Sequence, residues 1–141
     1  MDRTNPTVLL IDDNQHGLVA RRTGLEQQGY KVEIAKGGSE GIKILGVGGF
    51  DAVVTDFRTP DLDGSQLLVR LREKDPKTPI IILSGFAEKL GLTEASTGAD
   101  AVLMKGPAEL EDLVRALGRL IKRKPVRAQP KGRARRARAG A

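Results

Sequence analysis

Four short apolar runs punctuate the chain: Val8-Leu9-Leu10-Ile11, Ala52-Val53-Val54, Ile80-Ile81-Ile82-Leu83 and Ala101-Val102-Leu103-Met104. Each is too short for a typical helix, and unbroken apolar runs of this length suit strands covered on both faces, as in a parallel sheet. A fifth run, Val32-Glu33-Ile34, alternates instead, which predicts a strand nearer an edge of the sheet. The intervening segments carry helical spacing. Asn14 to about Gln28 predicts a first helix closed by Gly29 as its C′ glycine. Ser39 is the expected cap of a second helix running to Leu45, stopped by Gly46, Gly48 and Gly49. Residues 64–74 bring Leu67, Leu68 and Leu71 onto one face, with Pro76 just beyond. Residues 87–97 predict a weaker helix, interrupted by Gly91 and poor in helix formers. The clearest helix spans 107–122: Leu110, Leu113, Val114, Leu117, Leu120 and Ile121 follow helical spacing, and Pro107 suits its first turn.

Strand and helix thus alternate five times, the pattern of a doubly wound α/β sheet with right-handed crossovers and helices on both faces. The pattern stops after Lys122. Residues 1–122 are expected to form one domain, and residues 123–141, with almost no large apolar side chain, a basic disordered tail. Charge sharpens this division. Nine Lys or Arg and no acid lie from Lys122 onward; subtracting them from the net charge of +6 leaves −3 for residues 1–121. The body is mildly acidic and the tail carries the basic character. The chain lacks cysteine, a signal-peptide pattern and an apolar run near the roughly 20 residues of a membrane helix. These features fit a cytoplasmic protein without disulfides or thiolate metal sites.

The candidate chemistry lies where each strand ends. Asp12 and Asp13 follow the first run, Asp56 the third strand, Ser84 closes the fourth and Lys105 follows the fifth. In a parallel sheet these positions share the carboxyl edge, where ligands of such folds bind. Alone, each has an ordinary explanation: a loop residue or helix N-cap for Asp12 or Asp13, a solvated lysine, a turn serine. Asp61 and Asp63 are expected to serve turn and capping chemistry, and His16 to be a polar residue on the first helix. Gly46–Gly49 lacks the Lys-Ser/Thr of a phosphate loop. Three acids, a hydroxyl and an ammonium, all at strand ends, form a far more specific set.

That set, with the motifs around it, resembles bacterial response-regulator receivers. The paired acids Asp12-Asp13-Asn14, the segment Asp56-Phe57-Arg58-Thr59-Pro60-Asp61-Leu62-Asp63-Gly64, the pair Ser84-Gly85, and Gly98-Ala99-Asp100 leading to Lys105 occur in the family's order over roughly residues 7–121. The resemblance implies a flavodoxin-like (βα)5 fold with strand order 2-1-3-4-5 and a phosphoacceptor switch rather than an enzyme acting on an external substrate. It implies Asp56 as nucleophile, with Ser84 and Lys105 as its partners in handling the phosphoryl group. It further implies a Mg²⁺ ion held by Asp13, Asp56 and the Arg58 backbone carbonyl, with Asp12 binding directly or through water. The implied phosphodonor is a histidine kinase or a phosphotransfer protein that docks near the first helix. As a stand-alone receiver, the chain is expected to signal to an output protein, not identified by the sequence, through the fourth helix, fifth strand and fifth helix.

Three departures from the family stand out. Val102 occupies the place of its switch aromatic, so a ring cannot couple Ser84 to the fifth strand. Gly106 separates Lys105 from Pro107, where the family has proline directly after the lysine. Thr59 replaces a frequent methionine, while Arg58 and Phe86, each two residues past a site residue, fall near the phosphoryl group in relatives; Arg58 either holds phosphate or faces water. An alternative function, carried by the tail, is that of a nucleic-acid-associated protein with the receiver as scaffold. Nine uncompensated cations bind polyanions by counter-ion release, with weak sequence preference in a tail without aromatics.

Overall fold

The computed structural model describes residues 5–58 and 61–121. The elements, in chain order, are β1 (Thr7–Ile11), α1 (Gln15–Gln27), β2 (Lys31–Ala35), α2 (Gly38–Leu45), β3 (Ala52–Thr55), α3 (Gly64–Lys74), β4 (Ile80–Ser84), α4 (Glu94–Thr97), β5 (Ala101–Met104) and α5 (Glu109–Ile121). The strands form one parallel sheet in the order β2-β1-β3-β4-β5. The alternating run therefore becomes an edge strand, and the continuous runs β1, β3 and β4 lie inside. The fourth continuous run, β5, is not covered on both faces as expected: it forms the other edge, with Met104 exposed. The expected tail, residues 123–141, and Thr59 lie outside the described residues. No helix among the described residues is long and apolar enough to cross a membrane.

The two-residue period of a strand sends neighbouring side chains to opposite faces. Val8, Leu10, Val54, Ile81 and Leu83 pack with Leu18 and Leu25 of α1 and with Leu113, Leu117 and Leu120 of α5. Leu9, Ile11, Val53, Ile80 and Ile82 pack on the other face with Leu45 of α2 and Leu67, Leu68 and Leu71 of α3. Glycines allow two close approaches, α2 to the sheet and α1 to α5. A Cβ at Gly41 would lie 2.4 Å from Ile11 Cδ1, and one at Gly24 would lie 2.5 Å from Leu110 Cδ2. Gly24 thus sets the separation of α1 and α5.

Two expectations about helices are corrected. Ser39 is not the cap of α2: the N-cap is Gly37, without a side-chain bond. The Asp61 carboxylate, arriving from the β3–α3 loop, accepts instead from the Gly38 and Ser39 amides at 3.1 and 2.9 Å. A cap from elsewhere in the chain satisfies the orphan donors that a local serine otherwise takes. The fourth helix is also shorter than 87–97. Residues 85–91 form turns with Gly91 at φ 63°, and α4 is a single turn capped by Thr93 and Ser96. A left-handed glycine in the middle breaks the helical path. Asp63 does cap α3, accepting from Gln66 N at 3.1 Å.

Candidate functional site

Strand register assembles the site. Ile11 of β1 pairs with Thr55 of β3, so the residues that follow, Asp12 and Asp56, leave the sheet side by side. Backbone bonds extend the ladder one residue further: Asp56 N donates to Ile11 O at 3.1 Å, and Asp12 N to Ala35 O at 3.1 Å. Across the sheet, Ser84 pairs with Met104, and Lys105 N donates to Ser84 O at 3.1 Å. The four strand ends that carry chemistry are held level by the sheet itself.

Carboxylate oxygens of Asp12, Asp13 and Asp56 lie within 4.8 Å of one another. The Lys105 ammonium bridges two of the acids, with Nζ 2.9 Å from Asp12 Oδ2 and 3.1 Å from Asp56 Oδ2. Asp12 is buried, Asp56 half-buried and Asp13 exposed. Burial by itself raises the Asp12 carboxyl, but the Lys105 hydrogen bond, the Asn14 amide and the charges of Lys105 and Arg21 outweigh it and leave its pKa lowered. For Lys105, burial favours the neutral amine, yet the bonds and charges of Asp12 and Asp56 prevail and raise its pKa. Both groups are therefore held charged. An all-oxygen set of three acids, open to solvent through Asp13, suits a small hard divalent cation that takes few carboxylates and keeps several waters.

The structure also brings in two residues that the sequence reading did not single out. Arg21 of α1 is buried, and its Nη1 donates to Asp12 Oδ2 at 3.2 Å. Its Nε donates to Glu109 Oε2 at 2.7 Å. Glu109 in turn accepts from the Gly106 amide at 3.0 Å, next to Lys105. A signal was present: Leu18, Arg21 and Leu25 follow i, i+3, i+7 spacing, which puts an arginine on the buried face of α1. A charge there demands a partner.

Of the remaining candidates, Ser84 is buried at the end of β4, and its Oγ accepts from Phe86 N at 3.1 Å, leaving the hydroxyl proton for another acceptor. The Arg58 amide reaches Asp56 Oδ1 at 3.4 Å, and its side chain is exposed. Phe86 is also exposed, as is His16 on α1. Val102 is half-buried, and its amide donates to Glu94 Oε2 of α4 at 3.1 Å. Where a switch ring was absent from the sequence, a carboxylate ties α4 to the β5 backbone.

A five-stranded 2-1-3-4-5 sheet with acids at the ends of β1 and β3 and a lysine after β5 defines the class, and comparison with known proteins agrees. Residues 8–118 match the response regulator receiver domain, and the chain belongs to that family. It is 36% identical over 117 residues to the transcriptional regulatory protein TrcR of Mycobacterium tuberculosis, covering 82% of this chain and 45% of that protein. The chain spans about half the length of the curated relatives it matches. Among solved structures, it resembles a Burkholderia pseudomallei response regulator with a phosphorylated aspartic acid, calcium ion and citrate: TM-score 0.70, 31% identity, 80% of this chain and 66% of that one. It also resembles the receiver domain of the Pseudomonas aeruginosa sensor histidine kinase PA1611, which has a magnesium ion in its active-site cleft: TM-score 0.75, 26% identity, 84% and 98% coverage.

Proposed function

We propose that this receiver is a phosphoacceptor switch in which Asp56 accepts a phosphoryl group, in a Mg²⁺-dependent reaction, from the phosphohistidine of a histidine kinase or phosphotransfer protein. The observation that carries the reading is the meeting of three carboxylates within 4.8 Å with the Lys105 ammonium 3.1 Å from Asp56. Asp13, Asp56 and the Arg58 carbonyl would hold the cation, and Asp12 would complete the set directly or through water. When bound, the ion neutralises the crowded carboxylates and the phosphoryl oxygens. An Asp56 carboxylate oxygen attacks phosphorus and forms the O–P bond; the donor's P–N bond breaks, and its electron pair stays on the histidine nitrogen. Lys105, already on Asp56, meets a phosphoryl oxygen as a point charge. Ser84 donates its hydroxyl proton to another phosphoryl oxygen while Oγ keeps the Phe86 amide.

The phosphorylated form acts through protein partners, with α4, β5 and α5 as the output face. Residues 1–122 carry this function, and residues 123–141 form a separate basic extension. The test is incubation with Mg²⁺ and a small phosphodonor, read by intact mass. Wild type gains one phosphoryl group and Asp56→Asn gains none; equal gain by both would refute the assignment of Asp56. The nine uncompensated cations from Lys122 onward, eight of them in residues 123–141, support a second reading, association with nucleic acid. Removing residues 123–141 then abolishes a salt-sensitive DNA interaction and leaves phosphorylation intact.

A further inference from the structure

Lys105 has two engagements in the structure, Asp12 at 2.9 Å and Asp56 at 3.1 Å. A phosphoryl group on Asp56 requires its ammonium at a third place. Leaving Asp12 is expensive in principle, because that carboxylate is 2% exposed and a buried charge stripped of its partner is strongly destabilising. The same oxygen, Oδ2, has a second cation. Arg21 Nη1 lies 3.2 Å from it, with the two side chains 8% and 3% exposed. The other Asp12 oxygen accepts from Asn14 N at 3.1 Å. Asp12 would therefore remain paired after the lysine departs.

Arg21 is itself fixed. Its Nε is held by Glu109 at 2.7 Å, and Glu109 also grips the Gly106 amide at 3.0 Å. The loop backbone beside Lys105 is thus tied to the guanidinium while the lysine side chain keeps its freedom. Gly17, one turn earlier on α1, leaves the space: a Cβ there would lie 3.0 Å from both Arg21 Nη1 and Nη2.

We propose that Arg21 is a positioning residue, the standing counter-charge of Asp12 that releases the Lys105 ammonium to the phosphoryl group. This rests on the phosphoacceptor reading above and adds a role within it. Removing Arg21 then has two opposite consequences. The acidic cluster loses a nearby positive charge, so Mg²⁺ alone binds more tightly. Asp12 keeps hold of Lys105, so a phosphoryl analogue binds less tightly. A purely structural role moves both affinities the same way, or neither.

The experiment uses the full chain and isothermal titration with Mg²⁺ alone, then with beryllium fluoride at saturating Mg²⁺. Wild type must bind both; failure at that stage overturns the phosphoacceptor reading rather than the role of Arg21. For Arg21→Met the expected result is Mg²⁺ affinity raised, and beryllium fluoride affinity lowered, each by about threefold to tenfold, as for one charge a few ångströms away in a partly screened site. Gly17→Ala gives the same pair of signs with smaller size, because its methyl group crowds the guanidinium while alanine favours the helix. It decides the matter should Arg21→Met fail to fold. Unchanged affinities, or two affinities shifted in the same direction, in a folded variant would overturn the proposal.

Discussion

The two flanks of the carboxyl edge are built differently. On one, α1 and α5 meet at Gly24 and Leu110, and Leu18, Leu25, Leu113 and Leu117 are buried beneath the site. Above them Asp12, Arg21, Glu109 and Lys105 form a chain of ion pairs whose central members are buried. On the other flank, residues 85–100 run from β4 to β5 through turns and the single-turn α4, which buries no residue. Exposed polar bonds hold that flank: Thr93 with Ser96, and Glu94 with the Val102 amide. Phe86 and Leu90 lie exposed beside them. Both flanks touch the site, one through Lys105 and the other through Ser84. The lesson is a division of labour. The first flank fixes charges with buried apolar support, and the second has little burial to resist local opening, so it is where a change at Ser84 is most readily expressed.

The strongest way to break this contrast is Leu117→Ala on the first flank. It truncates a fully buried side chain between α5 and the sheet. A loss of about 2–5 kcal/mol of global stability is expected, measured by urea unfolding. A loss under about 0.5 kcal/mol, the level of an ordinary surface change, would mean that this flank is not the rigid one.

The ion-pair chain sharpens the comparison through pH. Asp12 has a lowered pKa in the fold, so its contribution is fully present above the unfolded value near 3.8 and declines as pH falls through the lower folded value. Lys105 has a raised pKa, so its contribution is complete below the unfolded value near 10.5 and is lost as pH rises through the higher folded one. Thermal unfolding without Mg²⁺ should show a plateau between these limits with a decline on each side. Lys105→Met should flatten the alkaline decline; an unaltered decline would assign it to other groups.

The smallest global effect is expected on the second flank. Thr93→Ala removes the hydroxyl that accepts from Ser96 N at 3.0 Å. Loss of such a cap costs about 1 kcal/mol locally. Because α4 opens without the core, faster amide exchange at Ser96, Thr97 and Val102 should accompany a global change under about 0.5 kcal/mol. Coupled loss of global stability would show that α4 belongs to the same cooperative unit as α5.

Much of this molecule is legible one residue at a time. Val8 to Ile11 and Ile80 to Leu83 are apolar throughout because both faces of an inner parallel strand are covered, and β2 alternates because it stands at the edge. Asp12, Asp56, Ser84 and Lys105 could be found because each stands at the end of such a run, which fixes its place along the strand axis. Legibility ended where a partner came from a distant segment. Ser39 had the local chemistry of a cap, but Asp61, 22 residues away, took the amides. Gly91 and a row of weak helix formers marked 87–97 as unstable, while the single turn that remains owes its limits to Thr93, Ser96 and Gly98.

The sequence by itself determined the alternation of strands and helices, the acids and the lysine at the strand ends, and the family, since these depend on local period and spacing. Tertiary structure alone decided which charges share an oxygen. Arg21 meets Glu109 across 88 residues, and Lys105 meets Asp12 across 93. Ion pairing depends on distances of a few ångströms and on exclusion of water, and both arise only when α1, α5 and the loop after β5 have packed on one face of the sheet.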